Sequence, residues 1–135
     1  MLIKGLQKLT LLDFPEKMAC TVFTFGCNFR CPFCHNASLV LADRADDYTV
    51  TEDAFFAFLE SRRGILEGVC VTGGEPTLQS DLPAFLTRIR EMGFAVKLDT
   101  NGSRPAMLKA VVHAGLVDYV AMDIKNALPR YAETV

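Results

Sequence analysis

Three cysteines lie close together near the start of the chain, and their spacing predicts metal chemistry. Cys27, Cys31 and Cys34 follow the pattern C-x3-C-x2-C. Three thiolates on one short loop can bind three irons of a four-iron cluster and leave the fourth iron open, whereas electron-transfer clusters are normally closed by four cysteines. An open metal position is where a substrate or cofactor binds, as at a catalytic zinc. The loop therefore predicts a reactive cluster.

A structural zinc site is the main alternative that the cysteines leave open. Its four ligands would be Cys27, Cys31, Cys34 and His35. Cys34 and His35 are sequence neighbours, however, and zinc-binding pairs usually have two or more residues between the ligands, so that both can reach one tetrahedral ion. This spacing favours a cluster over zinc without excluding zinc.

The two remaining cysteines, Cys20 and Cys70, lie in apolar runs that are typical of strands. We interpret both as small buried side chains rather than metal ligands. A disulfide framework is not expected, because the chain has five cysteines, which is an odd number, and three of them share one loop. The first residues lack the pattern of a secretory signal. Reduced thiols and no export signal predict a cytoplasmic protein.

The composition makes several classes of protein improbable. The chain has 135 residues, of which 50% are hydrophobic, and a formal net charge of −2. This length predicts one domain with a real core. The charge gives no electrostatic reason to bind nucleic acid or an anionic membrane, and no apolar stretch approaches the ~20 residues that cross a bilayer. We therefore expect neither nucleic acid nor membrane as a partner.

Strand-like and helical patterns alternate along the chain from residue 20 onward. Strands are predicted at residues 20–25, 69–72, 94–98 and 117–124, and helices are predicted to begin near Thr51, Ser80 or Asp81, and Ser103. Such alternation with short connections indicates parallel βαβ units with right-handed crossovers. The predicted fold is α/β, with four parallel strands in sequence order and three helices on one side of the sheet.

The inward face of each predicted helix follows from its apolar periodicity. These faces consist of Phe55, Phe58 and Leu59 in the first helix, of Leu82, Phe85, Leu86 and Ile89 in the second, and of Leu108, Val111 and Val112 in the third. On the other side of the sheet, the concave face is expected to carry Thr24, Thr72, Lys97 or Asp99, and Asp123.

Polar or metal-binding groups follow all four predicted strands. They are the cysteine loop, Thr72-Gly73-Gly74-Glu75-Pro76, Asp99-Thr100-Asn101-Gly102 and Asp123-Ile124-Lys125. Each motif alone could be a simple turn or a solvated strand end. The carboxyl ends of parallel strands meet at one rim, however, where α/β proteins bind their ligands. Together the four motifs predict one site at that rim.

With these motifs the chain resembles the radical S-adenosylmethionine (SAM) enzymes. The spacing of the cysteines, with Phe33 just before the last one, is the signature of that superfamily. Within it, the chain is similar to the activating enzymes of glycyl-radical enzymes, and more to the branch for the anaerobic ribonucleoside-triphosphate reductase than to the pyruvate formate-lyase branch. The finer resemblance is carried by Cys34-His35-Asn36, the Gly-Gly-Glu-Pro turn, Asp99-Thr100-Asn101-Gly102, Met122-Asp123-Ile124-Lys125 and Leu11-Leu12-Asp13-Phe14-Pro15.

The resemblance implies two cofactors, a 4Fe–4S cluster on Cys27, Cys31 and Cys34, and SAM chelated to the open iron. The residues expected around SAM are Phe33, Asn36, Gly73, Gly74, Glu75, Asp99, Asn101, Asp123 and Lys125. The two glycines have no Cβ and so would let the methionyl group approach the backbone. Glu75 or nearby carbonyls would accept from the SAM ammonium group, and Lys125 would offset the SAM carboxylate.

A monovalent cation is also implied by the resemblance. In the pyruvate formate-lyase branch the aspartates that match Asp99 and Asp123 help to bind such an ion, and the same is expected here. No protein side chain is expected to act as a catalytic group, because the reactive chemistry belongs to the cofactors.

The implied activity is that of an oxidoreductase in an anaerobic cytoplasm. One electron, delivered by a donor such as flavodoxin or ferredoxin, would cleave SAM to methionine and a 5′-deoxyadenosyl radical. That radical would take a hydrogen atom from a glycine of the partner, a glycyl-radical enzyme and above all the anaerobic ribonucleotide reductase. Two alternatives stay open: another radical SAM reaction, on a small molecule or RNA, and a metal-binding module without catalysis.

The length departs from the family pattern. Radical SAM domains usually close a partial barrel with more βα units than the four or so that this sequence contains. Residues 1–135 are therefore expected to be the N-terminal part of a radical SAM core domain, with its later strands missing.

Overall fold

One sheet organises the chain. The structure, a computed structural model, describes residues 1–40 and 48–135. The strands lie side by side in sequence order, namely β1 (Ile3–Thr10), β2 (Ala19–Thr24), β3 (Gly68–Gly73), β4 (Ala95–Thr100) and β5 (Tyr119–Met122). The pairings from β2 to β5 are all parallel, which confirms the α/β architecture predicted from the sequence.

Four α-helices lie between the parallel strands, and the three longer ones are where the sequence predicts them. The helices are α1 (Ala37–Val40), α2 (Glu52–Ser61), α3 (Leu82–Glu91) and α4 (Pro105–His113), with short 3₁₀ helices at Pro76–Leu78 and Leu128–Glu133. The Thr51 hydroxyl accepts from the Ala54 N–H at 3.1 Å and so caps α2 as expected. Helix α1 and the 3₁₀ turns are too short to give a periodic pattern. None of the helices described here is long and apolar enough to cross a membrane.

Strand β1 is the element that the sequence pattern did not predict. It pairs antiparallel with β2, and its register is interrupted between Ile3 and Gly5 and again between Gln7 and Thr10. Each irregularity shifts the alternation of side chains between the two faces. The period-2 pattern of a regular strand is therefore absent from residues 3–10.

The hydrophobic core lies between the sheet and the helices on its convex side. It contains Cys20 and Val22 from β2, Val69 and Val71 from β3, and Val96 and Leu98 from β4. Against these pack the predicted helix residues Phe55, Leu59, Leu82, Phe85, Leu86, Ile89 and Val111, all of which are buried. Burying side chains of this size stabilises the fold by roughly 1.5–3 kcal/mol each before entropy is counted.

One of the predicted inward positions is wrong, because Val112 is 45% exposed. Phe58 is only partly buried but packs against the core as predicted. Phe56, which was not predicted, is buried as well, 5.4 Å from the ring of Phe85.

Register also corrects one position on the concave face. Thr24 pairs with Ile3 across to β1 and with Gly73 across to β3. Because Ile3 belongs to the apolar core, Thr24 lies on the convex side, contrary to expectation. Its neighbour Phe23 pairs with Thr72 and shares the concave side with it.

Cys70 is buried as predicted, but its surroundings are polar rather than apolar. Its sulfur lies on the concave face, 3.6 Å from Asp99 Oδ2 and 4.0 Å from Lys97 Nζ. The interpretation of Cys70 as a core hydrophobe is therefore wrong in its environment. For Cys20, which is fully buried in the apolar core, the interpretation is confirmed, and burial raises the pKa of its thiol to about 12.

Phe14 closes the concave face at the amino-terminal ends of the strands. Its side chain is 2% exposed, and its ring centre is 6.4 Å from that of Tyr119. A Cβ at Gly68 would lie 2.8 Å from the Phe14 ring, so this strand position needs a glycine. With that end filled, the opposite end of the sheet is left open for a site.

Candidate metal and cofactor site

A cavity of about 220 Å³ opens at the carboxyl ends of the parallel strands. Every residue predicted from the sequence to bind metal or cofactor lines it, namely Cys27, Cys31, Phe33, Cys34, Asn36, Gly73, Gly74, Glu75, Asp99, Asn101, Asp123 and Lys125. Five further residues line it, namely Phe29, His35, Val40, Thr72 and Thr100. The sequence analysis named His35 only as a ligand of the alternative zinc site and Thr72 and Thr100 only as members of the rim motifs, and it did not name Phe29 or Val40. Four segments that are distant in sequence therefore form one site.

The cysteines fit a cluster better than a single ion. Cys27, Cys31 and Cys34 are all partly buried at the cavity. Within residues 1–40 and 48–135, no three or more His, Cys, Asp or Glu side chains are placed to share one metal ion. Structural zinc requires its ligands to converge on one ion, whereas each thiolate of a four-iron cluster binds a different iron. The donor set thus suits the cluster that the spacing predicts.

The fold perturbs the protonation of Cys27. Burial raises the pKa of its thiol, and the nearby Glu75, Cys31 and Cys34 raise it further. The Phe29 N–H, 3.4 Å from the Cys27 sulfur, acts in the opposite direction. Metal binding requires the thiolate, so loading of this site is coupled to loss of the Cys27 proton.

Gly73 and Gly74 are required by the packing of the protein itself. The Gly74 N–H donates to the Thr24 carbonyl at 3.0 Å, and the Glu75 N–H donates to the Gly26 carbonyl at 2.7 Å. A Cβ at Gly74 would lie 2.0 Å from the Gly26 oxygen, and a Cβ at Gly73 would lie 2.2 Å from the Thr24 nitrogen. The turn after β3 therefore touches the start of the cysteine loop, an explanation that the sequence analysis did not include.

Glu75 is buried, and both oxygens of its carboxylate accept hydrogen bonds. Its side chain is 1% exposed. Oε1 accepts from the Thr77 N–H, the Thr77 hydroxyl and the Thr100 hydroxyl, and Oε2 accepts from the Asn101 N–H. A carboxylate has about four acceptor positions, two on each oxygen, and Oε2 accepts only one of these hydrogen bonds. Glu75 therefore clips the turn after β3 to the loop after β4, and its contact with the SAM ammonium group stays a prediction.

Each of the two aspartates that were predicted to bind a cation already has a lysine partner. Asp99 Oδ1 accepts from Lys97 Nζ at 2.7 Å, and Asp123 Oδ2 accepts from Lys125 Nζ at 3.0 Å. Burial lowers the pKa of Lys125, but hydrogen bonding and the charges of Asp123, Cys31 and Cys34 outweigh it, so the pKa is raised. Lys125 is thus a cation facing the cysteine loop.

A brace from the last residues supports the cysteine loop. The Tyr131 ring packs edge-on against Phe29 with 6.2 Å between ring centres, and its hydroxyl accepts from the Lys125 N–H at 3.0 Å. The Arg30 N–H donates to the Thr134 carbonyl at 2.9 Å. Sequence reasoning missed this brace, because no motif marks residues 128–135; the aromatic side chain of Tyr131 was the one available signal.

Known proteins resemble this chain both in sequence and in fold. The family model of the radical SAM superfamily matches residues 21–135. A protein of Methanocaldococcus jannaschii, provisionally named a glycyl-radical enzyme activating enzyme, is 37% identical over 138 residues, which cover 99% of this chain and 54% of that protein. A 7-carboxy-7-deazaguanine synthase of Thermococcus kodakarensis is 29% identical over 126 residues, covering 80% of this chain and 49% of that protein.

A solved structure supports the same fold. The crystal structure of QueE from Escherichia coli is similar with a TM-score of 0.60 and 21% sequence identity, over 76% of this chain and 52% of that one. The chain spans about half the length of the curated relatives it matches.

Proposed function

The chain belongs to the radical SAM superfamily, and we propose that it forms the cluster- and SAM-binding part of an enzyme that activates a glycyl-radical enzyme. The observation that carries the proposal is the cavity that unites the three cysteines with the residues after all four parallel strands. The named relative from M. jannaschii supports the choice of reaction.

Cys27, Cys31 and Cys34 hold the 4Fe–4S cluster in this proposal and leave one iron for SAM. When bound, these two cofactors supply a 5′-deoxyadenosyl radical, with methionine as the other product. Lys125 lies beside the cysteine loop and offsets the SAM carboxylate. Glu75 or carbonyls of the turn at Gly73 and Gly74 accept from the SAM ammonium group.

The remaining lining residues surround the rest of SAM. Phe33 is 53% exposed and offers an aromatic face to the adenine. Asn36, Asp99 and Asp123 border the ribose and methionyl groups. A monovalent cation between Asp99 and Asp123 would have to share those carboxylates with their lysines.

A macromolecular substrate fits the open rim. The radical takes one hydrogen atom from a glycine Cα of the partner, which leaves a glycyl radical there and 5′-deoxyadenosine in the site. The anaerobic ribonucleotide reductase is the proposed partner, on the strength of the Leu11–Pro15 and Met122–Lys125 motifs. A flavodoxin or ferredoxin in the cytoplasm supplies the electron.

The test combines spectroscopy with product analysis. The protein is reconstituted with iron and sulfide without oxygen, reduced, and mixed with SAM and the reductase, with the Cys31→Ala variant as control. We expect near four irons per chain, 5′-deoxyadenosine, and a glycyl-radical EPR doublet on the reductase. The M. jannaschii relative, assayed in parallel, controls for the half of its length that this chain does not span. One zinc per chain without a cluster would reject the enzyme in favour of a metal-binding module.

A radical SAM reaction on a small molecule is the second candidate, favoured by the similarity to the 7-carboxy-7-deazaguanine synthase. The same experiment separates the two. Accumulation of 5′-deoxyadenosine without a protein radical would reject the reductase as partner and favour the second candidate.

A further inference from the structure

The side-chain amide of Asn101 reaches the cysteine loop. Its Nδ2 lies 3.8 Å from the Cys27 sulfur and 3.1 Å from Asn28 Oδ1. Its Oδ1 accepts from the Ser103 N–H at 3.0 Å. A main-chain N–H can only donate, so this contact fixes which end of the amide carries oxygen. The NH₂ group therefore faces the sulfur.

The main chain holds this amide in place. The Asn101 N–H donates to the buried Glu75 carboxylate at 2.6 Å. Asn28, next to Cys27 in sequence, donates through Nδ2 to the Ser103 hydroxyl at 2.8 Å. The loop after β4 and the cysteine loop are thus joined by two hydrogen bonds besides the one to sulfur. A donor held in this way needs no reorganisation when the charge on the sulfur changes.

We propose that Asn101 is a positioning residue that acts through Cys27, donating an N–H···S hydrogen bond that raises the reduction potential of the cluster. The inference rests on the proposed function, because it requires Cys27 to be a cluster ligand. Reduction adds one negative charge, which spreads onto the thiolate sulfurs, and a donor aimed at a sulfur stabilises that charge. Hydrogen bonds to sulfur are among the factors that set iron–sulfur potentials.

The size of the effect follows from one hydrogen bond. A second donor, the Phe29 N–H at 3.4 Å from the same sulfur, belongs to the main chain and stays in any side-chain variant. Loss of the Asn101 donor should therefore weaken reduction without preventing it. A typical net hydrogen bond corresponds to about a fivefold change in the equilibrium between reduced and oxidised cluster.

The experiment is a redox titration of the reconstituted protein. Dithionite supplies one electron per cluster through mediators, and the EPR signal of the reduced cluster is read against the ambient potential, normalised to iron content. We expect the Asn101→Ala variant to show about a fivefold lower ratio of reduced to oxidised cluster at a fixed potential. The isosteric Asn101→Asp variant, which keeps an acceptor for Ser103 but puts a carboxylate near sulfur, should lower the ratio further.

Ser103→Ala is the matched control. It removes the hydroxyl that anchors Asn28 but keeps the main-chain N–H that orients Asn101, so its potential should equal that of the wild type. Unchanged potentials in Asn101→Ala and Asn101→Asp would overturn the inference while the proposed function stands. An equal shift in Ser103→Ala would also overturn it, by showing general loosening of the loop. A wild-type protein that assembles no cluster would overturn both.

Discussion

The main-chain nitrogen of Asn101 lies 2.6 Å from Oε2 of Glu75, so one buried carboxylate fastens the loop after β4 to the turn after β3. The main chain of Glu75 in turn donates to the carbonyl of Gly26 at 2.7 Å, which adds the cysteine loop to the same unit. Three strand ends are therefore held in fixed relation through Glu75. The geometry of the site therefore depends on this residue.

Glu75→Gln tests that dependence. An amide has only one oxygen, so at least one buried donor now held by the carboxylate loses its acceptor and faces an NH₂ group instead. We expect the free energy of unfolding of the metal-free protein to fall by about 1–3 kcal/mol, measured by urea titration under reducing conditions. Glu60→Gln is the control, because Glu60 pairs with Arg63 on the surface of α2 and is 62% exposed. Equal stability of Glu75→Gln and the wild type would contradict the assignment.

Gly74→Ala tests whether the close contact between the turn after β3 and the cysteine loop requires a glycine. The added Cβ would lie 2.0 Å from the Gly26 oxygen, which is a backbone atom. We expect a loss of at least about 3 kcal/mol of stability, together with poor cluster loading, because the cysteine loop must move away from the turn. Thermal melts and iron analysis of the reconstituted protein measure the two effects.

The matched variant is Gly64→Ala. Gly64 has φ of +77°, and a Cβ added there would meet no neighbouring atom within 4 Å, so the substitution adds only backbone strain. It should cost about 1–2 kcal/mol and leave iron content unchanged. If both variants lost the cluster equally, general destabilisation rather than the Gly74–Gly26 contact would explain the result.

Single cysteine substitutions should divide the five thiols into two groups. Alanine at Cys27, Cys31 or Cys34 should abolish the chromophore of the reconstituted protein, because each thiolate binds its own iron. Cys20→Ala and Cys70→Ala should keep the chromophore and lose only about 1–2 kcal/mol of packing stability. Absorbance, iron and sulfide content give the result. A folded Cys70→Ala protein without colour would show that the polar cluster around Cys70 serves the metal site.

The fold could be predicted largely because its pattern is local. Apolar runs such as Val69–Val71 and the helical period of Leu82, Phe85, Leu86 and Ile89 are set by neighbouring residues, and the parallel α/β arrangement that they predicted is confirmed. Strand β1 was not predicted, because its register shifts remove the period-2 alternation of side chains that marks a strand. Cys70 was misjudged because a run of apolar residues does not reveal which face each side chain takes.

The candidate site, like the fold, could be predicted in part from the sequence. Its members could be named from the sequence, because the carboxyl ends of parallel strands meet and the family motifs mark them. The role of Glu75 as a clip between loops could not be predicted. Its carboxylate accepts hydrogen bonds from Thr77, Thr100 and Asn101, and two of these residues are far away in sequence. The contact of Tyr131 with Phe29 spans an even larger separation. The ligand roles of the lining residues stay predictions.

Lys97 offers a test that depends on pH. Its side chain is largely buried and lies 2.7 Å from Asp99 Oδ1. Burial lowers the pKa of Lys97, but the hydrogen bond to Asp99 and the charges of Cys70, Asp99 and Asp13 outweigh it and raise the pKa above its usual value. A raised pKa means that protonation favours the folded state. The stabilisation is therefore complete below the pKa of an unfolded lysine, about 10.4, and is lost as the pH rises through the folded value.

Lys97→Met removes this titration and leaves Asp99 without its partner. We expect the variant to be less stable than the wild type by about 1–3 kcal/mol at neutral pH. That difference should stay constant from about pH 7 to 9 and shrink above about pH 10.4. Urea unfolding of both proteins across this range, with reductant present, measures it. Lys109→Met, an exposed lysine on α4, should show almost no difference at any pH. A Lys97→Met difference that did not shrink at the alkaline end would mean that the protonated amine of Lys97, paired with Asp99, is not what stabilises the concave face.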